Sequence, residues 1–425
     1  MEQMYITRLE HVCSRLTKMG LTQMIVSDPL SIRYLTGVWV DPYERLYALY
    51  LRTDGKHRFF LNNLFVVPDI DIPKTWFSDT DDGVAVIAGL GDGNVDMGID
   101  KNWPARFLLA LMEHHPNVRY VNASSCIDGE RAIKDEYERQ KMREASLLND
   151  ACIEKAAAHI KAGMTELECA DYIRSLYKEA GCIESFSTIV SFGANAADPH
   201  HEPDDTVLKP GDGIVIDMGC EKEGYCSDMT RTFFCETADP DYAAIHDLVR
   251  SANEKAESLI RPGMRFCDLD KAARDVISEA GYGEYFTHRL GHSIGMQAHE
   301  AGDVSQGNPT EIQEGMTFSI EPGVYLPGKF GVRVEDLVLV TADGCEVLNH
   351  ADKHWKVIGW PAAAFYPLKN LYTTIECTLC EHSIVMNKRL RCRHSIVTGK
   401  GQTILNVSLS DSSKYLSIFL FYVLM

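Results

Sequence analysis

The chain has 425 residues, of which 45% are hydrophobic and 24% are charged, and its formal net charge is −19. Such values are typical of a globular protein with two domains. The acidic balance argues against a surface for nucleic acid or for an anionic membrane, because phosphate groups bind basic patches. The opening "MEQMYITRLEHVCSRLTKMG" carries charges throughout, so it predicts an amphipathic helix and no secretory signal. The ten cysteines before residue 361 show no repeated spacing, and we expect reduced thiols and a cytoplasmic location.

Residues 1–128 alternate between helical and strand-like patterns. Short runs rich in β-branched and aromatic residues are separated by helical or loop stretches, which predicts a small α/β domain. A long, charge-laced helical stretch follows at 131–163, so we place the domain boundary just before it and assign 129–360 to a second domain. The predicted strands of the first domain are QMIVS, YALYLR, RFFLN, VAVIAG and VRYVNA.

The second domain contains an internal repeat. "KAGMTEL" begins at Lys161 and "RPGMRFCDL" begins at Arg261, an offset of 100. "LKPGDGIVIDMG" then aligns with "IQEGMTFSIEPG" at an offset of 104, which places Asp217 over Glu321. Matches in the same order at a nearly constant offset predict two copies of a helix–helix–hairpin unit. By analogy with other two-copy domains, we expect a binding site where the copies meet.

Both predicted hairpins carry acidic residues inside apolar strands. An unbulged first hairpin would set Asp217 opposite Asp228, and a second hairpin that turns at "LPGKFG" would set Glu321 opposite Glu335. Opposed like charges destabilise a sheet, and an unpaired buried carboxylate is unfavourable by several kcal/mol. Four converging carboxylates therefore indicate bound cations. Two metal ions use shared carboxylates more naturally than one ion does.

Histidines near the hairpins could supply a nitrogen ligand. "HRLGHSIGMQAHE" contains His288, His292 and His299, and "DPHHEPDD" contains His200 and His201. Glycines on both sides of His292 allow a close backbone approach. A site rich in oxygen with about one imidazole favours Mn²⁺ or Co²⁺ over a structural zinc. Each residue alone has an ordinary explanation as a strand-edge, surface or loop residue, so the joint placement carries the prediction.

The motifs "IDMG…GYCSDMTRTF", "HRLGHSIG", "SIEPGVY" and "GVRVED" resemble those of the pita-bread metallopeptidases. The chain is most similar to the Xaa-Pro dipeptidases (prolidases), which have a creatinase-type N-terminal domain, and the resemblance runs from about Leu21 to Trp360. It implies an α+β fold in which a smaller α/β domain precedes a pita-bread domain of two related helix–helix–hairpin halves. It also implies five metal ligands, with Asp228 and Glu335 bridging the metals. These ligands are Asp217, Asp228, His292, Glu321 and Glu335.

The same resemblance implies roles for residues around the metals. His200, from a "PH" motif, and His299, from an "HE" motif, would be catalytic. Glu321 would act as general base as well as ligand. His288 would line the substrate pocket, and Arg333 would orient the ligands.

The resemblance implies a two-metal hydrolase that cleaves the Xaa-Pro bond of dipeptides through a metal-bridging hydroxide. Its cofactors would be two divalent ions, Mn²⁺ first and Co²⁺ or Zn²⁺ as alternatives. Its substrates would be small peptides with proline at the second position. We expect Arg289 to pair with the free carboxylate of a dipeptide. The resemblance further implies a homodimer in which residues 36–49 narrow the pocket of the neighbouring subunit.

Other activities remain open at this point. An Xaa-Pro aminopeptidase (aminopeptidase P), which acts on longer peptides, would carry the same motifs. A methionine aminopeptidase would carry the same ligands but would not need the first domain. A non-enzymatic binding protein on this fold would be expected to lose ligands, and all five are present.

Residues 361–425 differ in composition from the rest of the chain. They hold 7 Lys+Arg against 3 Asp+Glu, and they show no sustained helical or strand period. The closing "YLSIFLFYVLM" is too short for a helix that crosses a bilayer. We therefore predict an atypical, poorly ordered tail. Cys377, Cys380, Cys392 and His394 could form a zinc site, but their irregular spacing argues against one.

Overall fold

The structure is a computed structural model that divides into two units, 1–360 and 361–425. It describes residues 2–359 and, in the second unit, the backbone of 398–399, 402–409 and 416–423. No helix among these residues is long and apolar enough to cross a membrane.

The N-terminal part of the first unit is a six-stranded mixed sheet in the order β4-β3-β2-β1-β5-β6. The β1–β2 and β2–β3 pairs are antiparallel, whereas β1–β5, β5–β6 and β3–β4 are parallel. The elements are α1 Gln3–Lys18, β1 Gln23–Val26, α2 Pro29–Thr36, β2 Ala48–Arg52, β3 Arg58–Asn62, β4 Lys74–Phe77, α3 Gly83–Leu90, β5 Met97–Ile99, α4 Ala105–His114, β6 Tyr120–Asn122 and α5 Ser124–Arg131.

Helices cover both faces of this sheet because its central strands are apolar on both sides. Met24 and Val26 pack in one core with α1 and α2, and Ile25 packs in the opposite core with α3 and α4. This alternation follows the two-residue period of a strand. The first core continues into the next domain, where it includes Tyr225 and Ile294.

One predicted strand of this domain is wrong. The run VAVIAG lies within helix α3 and not in the sheet. Asp82 caps the helix by accepting hydrogen bonds from the backbone N–H groups of Val84 and Ala85, at 3.0 Å each. A short apolar run has the same pattern in a buried helix as in a buried strand, so the cap decides between them. The sheet also contains β4 and β5, which the sequence analysis did not predict.

The second part of the first unit contains the predicted repeat. The long helix α6 Glu136–His159 begins with a capping box between Asp135 and Glu138. It is followed by α7 Glu166–Glu179, and the second copy provides α8 Pro240–Glu257 and α9 Phe266–Glu279. Helices α7 and α9 begin and end 100 residues apart, which matches the offset between their sequences.

The strands of the two copies form small sheets, antiparallel except for the β12–β20 pair, that meet in the interior. Strand β12 pairs with β9 in the first copy, and β18 pairs with β15 in the second. The strands are β7 Ile183–Glu184, β8 Ile189–Phe192, β9 Gly213–Met218, β10 Cys220–Lys222, β11 Tyr225–Cys226, β12 Met229–Cys235, β13 Gly291–His292, β14 Asp303–Val304, β15 Thr317–Ile320, β16 Gly323–Leu326, β17 Phe330–Arg333, β18 Asp336–Val340, β19 Cys345–Val347 and β20 Val357–Ile358.

The first hairpin has a different register from the one predicted. Asp217 pairs with Thr230, so Asp228 is its diagonal neighbour and not its direct partner. The hairpin turns at Glu223 and Gly224, whose φ angles are 53° and 91°. A two-residue turn of this type needs positive φ at both positions, which glycine adopts without strain. The glycine therefore moves the centre of the turn by one residue. As a result, the partner of each residue on the first strand lies two residues later in the sequence than predicted.

The second hairpin has the predicted register. Ile320 pairs with Asp336 in one ladder and Gly323 pairs with Arg333 in the next. Between these ladders Glu321 lies opposite Glu335. Four acidic residues are therefore carried into the interior by two related hairpins.

The second unit has three described strands, β21 Thr398–Gly399, β22 Gln402–Leu409 and β23 Leu416–Val423, which pair as an antiparallel meander. The sequence analysis did not predict them. The four residues considered for a zinc site lie outside the described residues.

We expect a protein truncated after Trp360 to keep its fold, because the four apolar cores are built from residues of the first unit. Its melting temperature should stay within about 2 °C of that of the full chain, measured by calorimetry. A loss of several degrees would show that residues 361–425 bury apolar surface of the first unit.

Candidate metal centre

The five predicted ligands lie at the ends of strands in the interior of the second domain. His292 is on β13, Asp217 is on β9, and Asp228 directly precedes β12. Glu321 follows β15 and Glu335 precedes β18. The side chain of Glu321 is 16% exposed and that of Asp217 is 12% exposed, whereas the other three are more deeply buried.

Three of these residues place ligand atoms within 4.8 Å of one another, namely Asp228, His292 and Glu335. The Nε2 atom of His292 is 3.6 Å from Oδ2 of Asp228 and 3.5 Å from Oε1 of Glu321. Four of the five predicted ligands thus surround one small volume. The fifth, Asp217, accepts a hydrogen bond from Nη2 of Arg333 at 2.6 Å.

The electrostatics of this cluster are unfavourable without added positive charge. Burial, together with the charges of the neighbouring carboxylates, raises the pKa of Asp228 and that of Glu335 well above their ordinary values. Burial also raises the pKa of Glu321 to about 7, and Asp217 contributes to this increase. Burial, with a smaller contribution from the nearby His299, lowers the pKa of His292 to about 3, so the imidazole is neutral and its Nε2 can bind a metal.

The donor set fits divalent cations. Among the described residues, the buried Oδ1 atoms of Asp217 and Asp228 have no hydrogen-bond partner. Within the described part of the chain, Arg333 is the one charged donor to these carboxylates, and it donates to Asp217. Orphaned buried carboxylate oxygens need a partner, and hard cations are the partners such oxygens prefer.

A hydrogen-bonded chain that includes Arg333 supports the ligands. The Nε atom of Arg333 donates to the hydroxyl of Thr230 at 2.9 Å, and that hydroxyl donates to Oε2 of Glu335 at 2.8 Å. The Nη1 atom of Arg333 donates to the hydroxyl of Tyr325 at 2.9 Å. One guanidinium therefore orients Asp217 directly and Glu335 through Thr230. Its predicted function as an orienting group is consistent with these contacts.

At its Tyr325 end, this network of hydrogen bonds fixes the tautomer of His288. The Nδ1 atom lies 2.7 Å from the carbonyl of Arg289, which can only accept, so Nδ1 carries the proton. The Nε2 atom then accepts from the hydroxyl of Tyr325 at 2.9 Å. Burial lowers the pKa of His288 to about 4, which keeps the ring neutral. Both nitrogens are engaged, so the ring can offer a substrate its face but no free N–H.

The two predicted catalytic histidines lie beside this centre and are exposed. The ring of His299 packs edge-on against that of His292, with 4.1 Å between centroids. His200 follows Pro199, whose carbonyl accepts a hydrogen bond from Arg333 at 3.3 Å. No hydrogen bond among the described residues joins the side chain of His200 to a ligand.

Arg289 is exposed, and the described residues contain no ion pair that includes it. Any ion pair between Arg289 and a substrate would be weakened by solvent.

A second cluster, formed by Glu166, His201 and Asp204, also meets the geometric requirement for a metal. Glu166 already accepts hydrogen bonds from the backbone of Phe192, the amide of Asn195, the ring of His201 and the backbone of Asp204, at 2.7 to 3.1 Å. Four donors occupy its oxygens, so this carboxylate supports the loop that carries His200. His201 therefore belongs to this supporting cluster, whereas the adjacent His200 lies beside the metal centre.

Sequence reasoning did not assign a function to Tyr325, Thr230 or Ser319. The hydroxyl of Ser319 donates to Oε1 of Glu321 at 3.1 Å and accepts from the backbone N–H of His292 at 3.1 Å. Ser319 is the first residue of the motif "SIEPGVY" and Tyr325 is the last, and this is the only signal that the sequence offered for them.

A buried centre of carboxylates carried on two repeated hairpins, with one neutral imidazole from β13, is the arrangement of a metal-dependent hydrolase. The comparisons with known proteins agree. Residues 140–342 match metallopeptidase family M24, and residues 8–133 match the creatinase/prolidase N-terminal domain. The chain is 36% identical over 359 residues to an uncharacterised peptidase of Staphylococcus aureus, which covers 82% of this chain and all of the relative.

Solved structures are similar over the same region. A dipeptidase from Pyrococcus horikoshii OT3 is 34% identical with a TM-score of 0.78, over 83% of this chain and 100% of that protein. A prolidase from Thermococcus sibiricus is 30% identical with a TM-score of 0.78, over 84% of this chain and 100% of that protein. The chain belongs to metallopeptidase family M24 and is a metal-dependent peptidase with a pita-bread fold and a creatinase-type N-terminal domain.

We expect Tyr325→Phe to lower kcat/KM about tenfold and to destabilise the fold by about 1–3 kcal/mol. Without the hydroxyl, Arg333 loses one acceptor and Nε2 of His288 loses its donor, both in the interior. Tyr50→Phe is the matched control because it removes a buried hydroxyl hydrogen bond in the N-terminal domain. It should change stability but not activity, and equal activity in both variants would contradict a function for Tyr325 at the site.

Without bound metal, we expect Glu321 to contribute stability that is lost as the pH rises toward neutrality, measured as the difference between the wild type and Glu321→Gln. The pKa of Glu321 is raised from 4.5 to about 7 in the fold, so the folded state binds its proton more tightly than the unfolded chain. That stabilisation is present below pH 4.5 and is lost as the pH passes about 7. Metal must displace this proton, so metal affinity should rise over the same range. Glu321→Gln removes this contribution and leaves those of the buried histidines. A metal-stripped wild type whose melting temperature, relative to that of Glu321→Gln, is no lower at about pH 8 than at about pH 5 would contradict this assignment.

Proposed function

We propose that the protein hydrolyses the Xaa-Pro bond of dipeptides with two divalent metal ions held by the five predicted ligands. The observation that carries this proposal is the convergence of four buried carboxylates and a neutral imidazole. Asp228 and Glu335 are the deepest acids of the group, and we assign them as the bridging ligands. The oxygen-rich donor set favours Mn²⁺, with Co²⁺ or Zn²⁺ as alternatives.

The residues around the ligands have separate tasks. When bound, two metal ions supply Lewis acidity toward water and toward the scissile carbonyl. Glu321, which the Ser319 hydroxyl orients, takes a proton from the attacking water and passes it to the leaving amine. His299 donates a hydrogen bond to the oxygen on which negative charge develops, and its lowered pKa, caused first by partial desolvation of the ring, keeps it a neutral donor. His200 approaches the substrate from the opposite loop.

This arrangement suits proline at the second position of a peptide. The amide before proline has no N–H, so a peptidase that binds that N–H cannot hold the substrate. At this centre the carbonyl and the free amine provide the contacts, and neither requires the missing N–H. The face of His288, whose nitrogens are both engaged, is suited to pack against the proline ring.

Cleavage of longer peptides is the second candidate, as in an aminopeptidase P. The exposure of Arg289 favours it, because a solvated arginine discriminates only weakly between a dipeptide and a tripeptide.

We also propose a homodimer. Two loops of the N-terminal domain expose Trp39, Tyr43, Leu64 and Val66, with exposed fractions of 52%, 79%, 65% and 93%. These side chains surround a shallow pocket of about 260 Å³, and exposed apolar patches of this kind mark interfaces. A monomer in light scattering that has full activity would contradict the dimer.

The ten described cysteines are all free, which supports our proposal of a reducing, cytoplasmic location.

We expect Asp228→Asn to remove at least one metal ion and to lower kcat at least about a hundredfold, while the fold is retained. The change preserves shape but removes a charge that both metals would share. Asp204→Asn is the matched control, since Asp204 belongs to the other acidic cluster and should keep both metals and full activity. Metal analysis and kinetics on the two variants give the answer, and normal turnover in Asp228→Asn would refute the two-metal assignment.

A panel of X-Pro dipeptides, X-Pro-X tripeptides and X-Ala dipeptides with added Mn²⁺ tests the substrate. We expect cleavage before proline and no cleavage of X-Ala. An exposed ion pair is worth at most about 1 kcal/mol, so dipeptides should exceed tripeptides by about fivefold or less, and Arg289→Ala should remove that difference. Equal rates on both lengths in the wild type would identify the protein as an aminopeptidase P, and no cleavage before proline would refute both candidates.

A further inference from the structure

A buried ion cluster lies beside the metal centre and contains none of its ligands. The carboxylate of Glu300 pairs with Arg131 at 2.6 Å and with Lys134 at 3.1 Å. The three side chains are 5%, 7% and 1% exposed. Burial raises the pKa of Glu300, but the two cations outweigh burial and lower it to about 2. The carboxylate is therefore ionised at any working pH.

The two cations belong to the connection between the domains. Arg131 is the last residue of α5, and Lys134 lies between α5 and α6. The backbone N–H of Lys134 donates to the carbonyl of Gly315 at 2.8 Å, and Ile133 forms a bridge with Met316. The connection is thus attached to the chain that leads directly into β15, which ends next to Glu321.

Glu300 closes the loop that follows the ligand His292. Its Oε1 atom accepts the backbone N–H of Met296 at 2.9 Å, and its own N–H donates to the carbonyl of Ser293 at 2.8 Å. A Cβ at Gly295 would lie 2.8 Å from the carboxylate, so only glycine permits this approach. The carboxylate therefore serves both as the inner anchor of the loop and as the partner of the connection.

His299 directly precedes this anchor. Its exposed ring faces His292, and it lines a cleft of about 310 Å³ together with Arg131 and Glu300. The opposite side of the cleft belongs to the N-terminal domain, with Asp28 and Asn102. The position of His299 is thus bounded by the anchored Glu300 on one side and the ligand His292 on the other.

We propose that Glu300, held by Arg131 and Lys134, is a positioning residue that fixes His299 for the reaction. The N-terminal domain then acts on the active site through its connection to the catalytic domain. The inference rests on the proposed function, because it assigns His299 to the reacting oxygen. The anchor itself consists only of the contacts described above.

The test compares Glu300→Gln and Arg131→Met with Arg8→Met. Arg8 is an equally buried arginine that joins α1 to Asp135 and Glu138, at the same domain connection but away from the loop of His299. Glu300→Gln and Arg131→Met should lower kcat about 10- to 100-fold and change KM less than about twofold, because a shift of about 1 Å in a catalytic group has this effect. Arg8→Met should lower the melting temperature but leave kcat unchanged.

Hydrogen exchange of residues 293–302 is the second readout, and it requires no activity. Exchange should accelerate in Glu300→Gln and Arg131→Met and stay at the wild-type rate in Arg8→Met, with metal content unchanged in all three. Arg131→Lys keeps the charge and should restore most of kcat, and Glu300→Gln alone carries the comparison with Arg8→Met if Arg131→Met does not fold.

The outcomes separate the two proposals. Wild-type exchange in the loop variants, or an equal loss of kcat in Arg8→Met, would overturn the positioning function. Loss of metal from Glu300→Gln would also overturn it, because the anchor would then hold His292 and not His299. If the wild-type protein cleaves no X-Pro peptide while Glu300→Gln and Arg131→Met still exchange faster, the proposed function is refuted and the anchor remains.

Discussion

Four carboxylates meet in the interior of the second domain with one arginine and one neutral imidazole between them. Such a group cannot remain ionised without more positive charge, because burial and mutual repulsion both favour the protonated forms. The strands, the turns and the buried hydrogen bonds around the group all hold these acids together against their repulsion. Bound divalent cations resolve the conflict, and the family to which the chain belongs is one of metallopeptidases.

The repeat explains how one chain can bring the acids together. Each copy carries a hairpin into the interior, but the hairpins differ in register. In the second, Glu321 lies opposite Glu335. In the first, the turn shifts the pairing, and Thr230 takes the position opposite Asp217. The hydroxyl of Thr230 then links Arg333 to Glu335, so the shifted register supplies the hydrogen bonds that the ligands need.

The sequence predicted the helix repeat and the second hairpin because both depend on local periodicity and spacing, and the fold class followed from the resemblance of its motifs to those of the pita-bread metallopeptidases. Its errors have two causes: a single cap or turn residue that overrides the hydrophobic pattern, and tertiary packing. Asp82 caps a helix where a strand was predicted. A glycine at the second turn position shifts the pairing register of the first hairpin by two residues. The exposure of Arg289 depends on tertiary packing, which a motif does not encode.

The residues that the sequence did not identify are those that act through other side chains. Tyr325 and Ser319 are ordinary strand residues in the sequence, and their hydroxyls matter only because Arg333, His288 and Glu321 lie within hydrogen-bond distance. Glu300 was visible only as the second letter of an "HE" motif. Its partners lie more than 160 residues away in the chain, at the domain connection, so spacing alone could not reveal them.

The ligand assignment has a direct test in anomalous X-ray diffraction from crystals grown with Mn²⁺. Two metal ions shared by bridging carboxylates lie about 3.5–4 Å apart. The proposed centre therefore predicts two anomalous peaks at that separation, both in contact with Asp228 and Glu335, with His292 bound to one of them. A single peak, or peaks at Glu166 and His201 with none between the two hairpins, would contradict it.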